Sequence, residues 1–172
     1  MTRFARTRAM HTLDPQSLTQ HVDRLYRAAW ALCGSREDAE DLVQETFARV
    51  LAKKRTIASD QDALPYLMRV LRNTFVSSLR TRSRRPKTAP LEDAEPRLAA
   101  PDAGSPTAVL AAREVFAAIA ALPEDQRDVI AAVDVAGLSY AEAAETLGVP
   151  AGTIMSRLYR GRARVADAVG AA

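Results

Sequence analysis

A proline-rich segment near the middle of the chain limits what the rest of it can fold into. Five of the nine prolines lie between residues 84 and 106, beside Gly104 and Ser105; they are Pro86, Pro90, Pro96, Pro101 and Pro106. Proline breaks a helix and cannot donate to a β-ladder, and an irregular segment of about 20 residues is long for a compact domain. We therefore predict two domains, over residues 15–85 and 107–172, joined by a flexible linker over 86–106 and preceded by a disordered basic arm over 1–14.

Apolar residues at helical spacing in both halves, with only seven glycines in the chain, predict an all-α fold. In the first half we expect a helix over Ser17–Cys33, a second capped by Ser35, and a third from near Asp62 to about Thr81. The polar face of the second helix is expected to carry Glu37, Asp38, Glu40, Asp41, Gln44 and Glu45. The third is expected to bury Leu64, Leu67, Phe75 and Leu79. A helix over Thr107–Ala121 is expected to bury Leu110, Val115 and Ile119.

A helix-turn-helix is predicted near the C-terminus. Ser139 and Glu142 form an S-x-x-E capping box that starts a short helix, Gly148 ends it, and a longer helix follows from about Ala151 to Val169. In this motif the first turns of the second helix contact base edges in the major groove. The candidate duplex-binding residues are Thr153, Met155, Ser156, Arg157, Tyr159, Arg160, Arg162 and Arg164.

The charge distribution suggests a polyanionic partner. The net charge is +3, yet residues 1–87 contain 17 Lys and Arg against nine Asp and Glu, and four arginines cluster in the last helix. Two basic clusters separated by an acidic linker suggest two contact points on a polyanion.

Catalysis, metal binding and membrane insertion are not indicated. The single cysteine, Cys33, lies in an apolar run and is expected to be a buried small hydrophobe; with two histidines it cannot supply a metal-ligand set. No apolar run approaches the ~18 residues of a membrane span. We expect a cytoplasmic protein without cofactor, metal or enzymatic activity.

Two sets of motifs resemble extracytoplasmic-function (ECF, group IV) sigma factors of the sigma-70 family. The string Asp38-Ala39-Glu40-Asp41-Leu42-Val43-Gln44-Glu45-Thr46-Phe47 is similar to the signature of their region 2, and so are Tyr66-Leu67 and Leu71-Arg72-Asn73. Three later segments resemble region 4, in the order found in that family; they begin at Ala121-Leu122-Pro123-Glu124, Gly137-Leu138-Ser139-Tyr140 and Gly152-Thr153-Ile154-Met155. The resemblance covers about two thirds of the chain.

The resemblance implies a transcription initiation factor that works with core RNA polymerase on promoter DNA. It implies that polymerase is bound by Asp38, Asp41, Leu42, Gln44 and Glu45. It implies that the melted −10 element is bound by Arg69, Arg72, Asn73, Arg80, Arg84 and Arg85, and that the last helix recognises the −35 element as duplex. It further implies a chain that is monomeric when free and is held inactive by a cognate anti-sigma protein.

Three positions depart from the family pattern: Tyr66 often corresponds to Trp, Ser78 to an acidic residue and Met155 to a basic one. Met155 therefore leaves the −35 preference open. A stand-alone helix-turn-helix regulator remains an alternative, although no dimerisation helix is evident. The other alternative is a protein-interaction module that kept the sigma fold but no longer acts at promoters.

Overall fold

The computed structural model describes residues 11–13, 15–53, 56–57, 63–84 and 106–170. The helices of the first half are α1 (Pro15–Thr19), α2 (Val22–Cys33), α3 (Arg36–Ala52) and α4 (Ala63–Arg84). Those of the second half are α5 (Pro106–Ala120), α6 (Glu124–Ile130), α7 (Tyr140–Leu147) and α8 (Ala151–Gly170), with a π-helical turn over Ala131–Val135 between α6 and α7. The all-α prediction is confirmed.

Local capping interactions set several of the helix ends. Gly34 closes α2 with φ +78°, and its N–H donates to the Trp30 carbonyl at 2.8 Å. The Ser35 side chain accepts from the Asp38 N–H at the start of α3. The predicted capping box at the start of α7 is present in both directions between Ser139 and Glu142. These ends depend on residues close in sequence, which is why the sequence predicts them well.

Two short strands occur beside the helices. β1 (His11–Thr12) pairs antiparallel with β2 (Thr56–Ile57), with His11 opposite Ile57. Leu13 follows β1 and is buried. The disordered arm predicted over residues 1–14 is therefore wrong for residues 11–13, because a buried leucine and a strand pairing hold them; residues 1–10 lie outside the described residues.

The two halves pack together into one hydrophobic core. The indole of Trp30 in α2 stacks on the ring of Phe116 in α5, with centroids 4.2 Å apart and planes inclined by 14°. The Thr146 hydroxyl in α7 donates to the Pro65 carbonyl in α4 at 3.4 Å. The guanidinium of Arg127 in α6 lies 5.1 Å from the centroid of Phe75 in α4. The linker predicted over 86–106 lies outside the described residues except for Pro106, which begins α5.

Three side chains lie on a face other than the one predicted. Leu110 is exposed, because at about 100° per residue it points opposite to Ile119, and Phe116 takes the inward position instead. Glu40 is buried in α3, on the side of the helix next to Val43, whereas Asp41 and Glu45 are exposed. Leu79 is exposed near the end of α4, where it lines a hollow beside α3.

Candidate polymerase-binding and DNA-binding surfaces

The candidate polymerase-binding residues form an acidic edge on α3. Asp41, Gln44 and Glu45 are exposed and Asp38 is half-buried, so four of the five predicted residues line the solvent side of the helix. Leu42 does not: it is buried and lies at the base of this edge. Arg82 at the end of α4 pairs with Asp38 at 2.6 Å, and Glu45 pairs with Arg49 one turn further along α3. Asp41 and Gln44 have no side-chain contact of this kind among the described residues.

A hollow of about 240 Å³ lies between this acidic edge, the end of α4 and the second half of the chain. Asp38, Asp41 and Glu45 form its acidic rim, while Arg82 and Arg127 face them. Cys33 lines the floor, where burial raises the pKa of its thiol to about 12. A thiol with so high a pKa is protonated at neutral pH and unreactive, as the apolar sequence around it predicts.

The candidate −10 residues lie along one side of α4, and the second half of the chain engages two of them. Arg69 donates to the Glu145 carbonyl in α7 at 2.8 Å. Arg72 pairs with Asp128 at 2.5 Å and with Glu124 at 3.3 Å, both in α6. The packing of the two halves therefore places two carboxylates of α6 against Arg72.

Further candidates are on the same helix, α4. Asn73 and Arg80 are exposed, and Asn73 lines a shallow hollow with Arg49 and Lys53. Arg84 is the last residue of α4, and the structure does not describe its side chain. Arg85 lies outside the described residues.

Asp128 is the most buried charged partner at this contact, with 5% of its surface exposed. Its Oδ2 accepts the hydrogen bond from Arg72, while Oδ1 has no hydrogen-bond partner among the residues that the structure describes. Burial raises the pKa of the Asp128 carboxyl, against the opposing effect of Arg72. Arg72 and Asp128 therefore link α4 to α6, and the cost of burying the carboxylate offsets part of what the ion pair contributes to stability.

Helix α8, which carries the candidate −35 residues, turns one face inward and leaves the opposite face to solvent. Ile154, Leu158 and Gly161 pack inward against the rest of the second half. A Cβ at Gly161 would stand 2.9 Å from Ile130 Cδ1, which shows how closely α8 packs on α6. The outward residues include Met155, Ser156, Tyr159 and Arg160, and Thr153 is half-buried at the first turn.

Three of the four arginines of α8 bind partners in the same half. Arg157 pairs with Asp125 at 3.2 Å, and Arg164 donates to the Gln126 side chain at 3.0 Å. Arg162 donates twice to Asp134, and this hydrogen bonding raises the pKa of the guanidinium. Arg160 donates to the Ser156 carbonyl of its own helix, so its charge remains on the outward face.

The sequence does not predict the acidic partners of the arginines in α4 and α8. Glu124, Asp125, Asp128 and Asp134 all lie in α6 or in the π-helical turn after it. Their only sequence signal is that residues 106–172 contain eight Asp and Glu against six Lys and Arg. Within the described ranges, no cluster of His, Cys, Asp and Glu could hold a metal ion, and no helix is long and apolar enough to cross a membrane.

Comparison with known proteins identifies both halves. The family model for Sigma-70 region 2 matches residues 18–85, and that for Sigma-70 region 4 matches residues 112–165. The chain is 39% identical to the ECF RNA polymerase sigma factor SigE of Mycolicibacterium smegmatis over 164 residues, which cover 92% of this chain and 62% of SigE. It is 37% identical to EcfG of Rhodopseudomonas palustris, covering 84% of this chain and 78% of EcfG. It is 35% identical to SigM of Mycobacterium tuberculosis, covering 90% of this chain and 76% of SigM.

Solved structures share the fold. The sigma factor RpoE of Bartonella quintana, solved with the anti-sigma factor NepR, superposes with a TM-score of 0.64 at 28% identity, covering 90% of this chain and 95% of RpoE. CnrH, solved with the cytosolic domain of CnrY, also gives a TM-score of 0.64, at 24% identity, and supports the fold alone; 91% of this chain and 86% of CnrH are covered. The chain therefore belongs to the ECF RNA polymerase sigma factors, which are transcription initiation factors and not enzymes.

Proposed function

We propose that this chain binds core RNA polymerase through the acidic edge of α3, captures the melted −10 element with α4 and recognises the −35 duplex with α8. The observation that carries the proposal is the presence of both sigma regions in one chain with two candidate surfaces open to solvent. These surfaces are the α3 edge around Asp41 and the outward face of α8 around Ser156.

Arg72 of α4 is released from its carboxylate partners only when the two halves part, whereas Asn73 and Arg80 are already exposed. The −10 and −35 elements are about 25 base pairs apart, or about 85 Å at ~3.4 Å per base pair. A compact chain of this length is about 40 Å across, from a radius of gyration of about 16 Å. The packed chain cannot reach both elements at once. On the promoter, Arg72 exchanges Asp128 and Glu124 for DNA phosphates, and α5 to α8 move away from α4.

A cognate anti-sigma protein is the proposed restraint on this chain. Any partner that binds the two packed halves together keeps Arg69 and Arg72 bonded to α7 and α6, because their partners lie across the contact in those helices. The likeness to RpoE, which was solved with its anti-sigma factor, supports this proposal.

The polymerase contact is tested by binding of the full chain to core RNA polymerase. The variant Asp41→Arg/Glu45→Arg reverses the exposed acidic edge, and Glu114→Arg reverses an exposed charge on α5 as the matched control. We expect the double variant to lose affinity at least tenfold and Glu114→Arg to bind as the wild type does. Equal binding by all three proteins would refute the assignment of α3.

The alternative of a self-sufficient regulator makes the opposite predictions. It requires nanomolar promoter binding without polymerase and a stable dimer, which sedimentation would detect. We expect the free chain to sediment as a monomer and to bind promoter DNA specifically only with core polymerase.

A further inference from the structure

Two large side chains on the outward face of α8 are unusually exposed. Met155 is 53% exposed and Tyr159 is 77% exposed, whereas most large apolar side chains of the described residues are buried. They lie four residues apart, so they are neighbours on the helix surface, about one turn from each other. Together they form an apolar ridge, which we define as Met155 and Tyr159.

Carboxylates of the second half engage two of the cationic groups near this ridge. Arg157 pairs with Asp125 and Arg162 with Asp134, although Arg162 stays about half exposed. The other outward polar groups next to the ridge are Ser156 and Arg160. The groove-facing part of α8 is therefore more apolar than its four arginines suggest.

The major groove of DNA contains one apolar group that such a ridge can contact, the C5-methyl group of thymine. Met155 is unbranched and adaptable, so it can follow such a methyl without demanding one geometry. Its thioether neutralises no phosphate and makes no bidentate bond to guanine, so it contributes base preference rather than overall electrostatic affinity.

We propose that the apolar ridge recognises thymine methyl groups in the −35 duplex, while Arg160 and Ser156 supply hydrogen bonds beside it. The inference rests on the proposed function of α8 and makes Met155 a specificity-determining residue.

The experiment replaces thymine by uracil, which lacks only the C5-methyl group. The promoter is one recovered by transcription of genomic fragments, and each thymine of its −35 element is changed singly to uracil. Binding of each DNA is measured to holoenzyme assembled from core polymerase and the full chain. We expect one or two of these changes to weaken promoter binding about fourfold, which corresponds to ~0.8 kcal/mol for one methylene-sized group. Uracil in the spacer is the matched control and has no effect.

Substitutions of Met155 and Tyr159 test whether the ridge itself causes the effect of uracil. We expect Met155→Ala to abolish the uracil penalty at one position and Tyr159→Ala to abolish it at a neighbouring one. Neither changes the dependence of binding on salt, whereas Met155→Arg steepens it by about one ion, at ~0.9 per phosphate contact. Both side chains are exposed, and the emission of Trp30 confirms that each variant is folded.

The outcomes distinguish the inference from the proposed function. If binding requires the −35 element but tolerates uracil at every position, the ridge is not a methyl reader and the assignment of α8 stands. If uracil weakens binding equally in the wild type and in Met155→Ala and Tyr159→Ala, the inference is equally overturned. If binding ignores the −35 element altogether, the proposed function of α8 itself fails.

Discussion

The stacking of Trp30 on Phe116 makes the packing of the two halves measurable. Trp30 is the single tryptophan of the chain, it belongs to the first half, and its indole lies against Phe116 of the second half. Its fluorescence therefore reports on the contact between the halves. The informative perturbation is Phe116→Ala, which removes the ring from the contact without touching the candidate polymerase or DNA residues.

The expected loss follows from the burial of Phe116. Truncating a fully buried phenylalanine costs about 3–5 kcal/mol, but Phe116 is only partly buried, so about half of that applies. A loss of about 2 kcal/mol, including the stacking contribution, shifts the ratio of packed to parted halves by a factor of about 30. It also admits water to an indole that is otherwise buried.

The assay compares the Trp30 emission maximum and the urea unfolding curves of Phe116→Ala, Phe116→Leu and Leu110→Ala. We expect a red shift and an earlier midpoint for Phe116→Ala, and a smaller effect for Phe116→Leu, which keeps most of the apolar volume. Leu110→Ala truncates an exposed side chain of the same helix and should change stability by less than about 0.5 kcal/mol. If Phe116→Ala and Leu110→Ala both superimpose on the wild type, the halves do not pack through this contact in solution.

Three further substitutions test individual features. Asp128→Asn should leave the free energy of unfolding unchanged or raise it at neutral pH, because burial raises the pKa of the carboxyl despite Arg72. The difference should shrink as acid protonates the folded carboxyl before the unfolded one, and a clear loss of stability at neutral pH would contradict this. Gly34→Ala should lower the free energy of unfolding by about 2 kcal/mol and Gly148→Ala by about 1 kcal/mol. Both glycines have positive φ, but only at Gly34 would a new Cβ stand 2.9 Å from α5. Equal losses for the two variants would argue against that close approach. Ser139→Ala should lower the melting temperature by about 2–4 °C by removing a cap, and an unchanged melting curve would argue against the capping box.

Features that depend on local sequence are the ones that the sequence predicts. The capping box at Ser139, the glycine stop at Gly148 and the last helix are confirmed because neighbouring residues determine each of them. The prediction that Leu110 is buried is wrong because Leu110 and Ile119 are nine positions apart. Nine steps of about 100° bring Leu110 to the opposite face of the helix.

Contacts between residues distant in the chain could not be predicted. Arg72 and Asp128 are 56 positions apart and lie on either side of the proline-rich segment. A linker of that length permits many arrangements of the two halves, and no local pattern marks Trp30 and Phe116 as partners. The sequence predicts that α4 and α8 carry basic residues, but only the structure shows that acidic residues of the second half already bind Arg72, Arg157 and Arg162.

Transcription in vitro tests most directly whether this chain directs promoter-specific initiation. The purified chain is mixed with core RNA polymerase and a pool of genomic fragments, with Asp41→Arg/Glu45→Arg and Glu114→Arg in parallel. Transcripts that start at a limited set of sites with the wild type and with Glu114→Arg, and that vanish with the double variant, are the predicted result. Transcription that is no more specific than that of core polymerase alone would contradict the account.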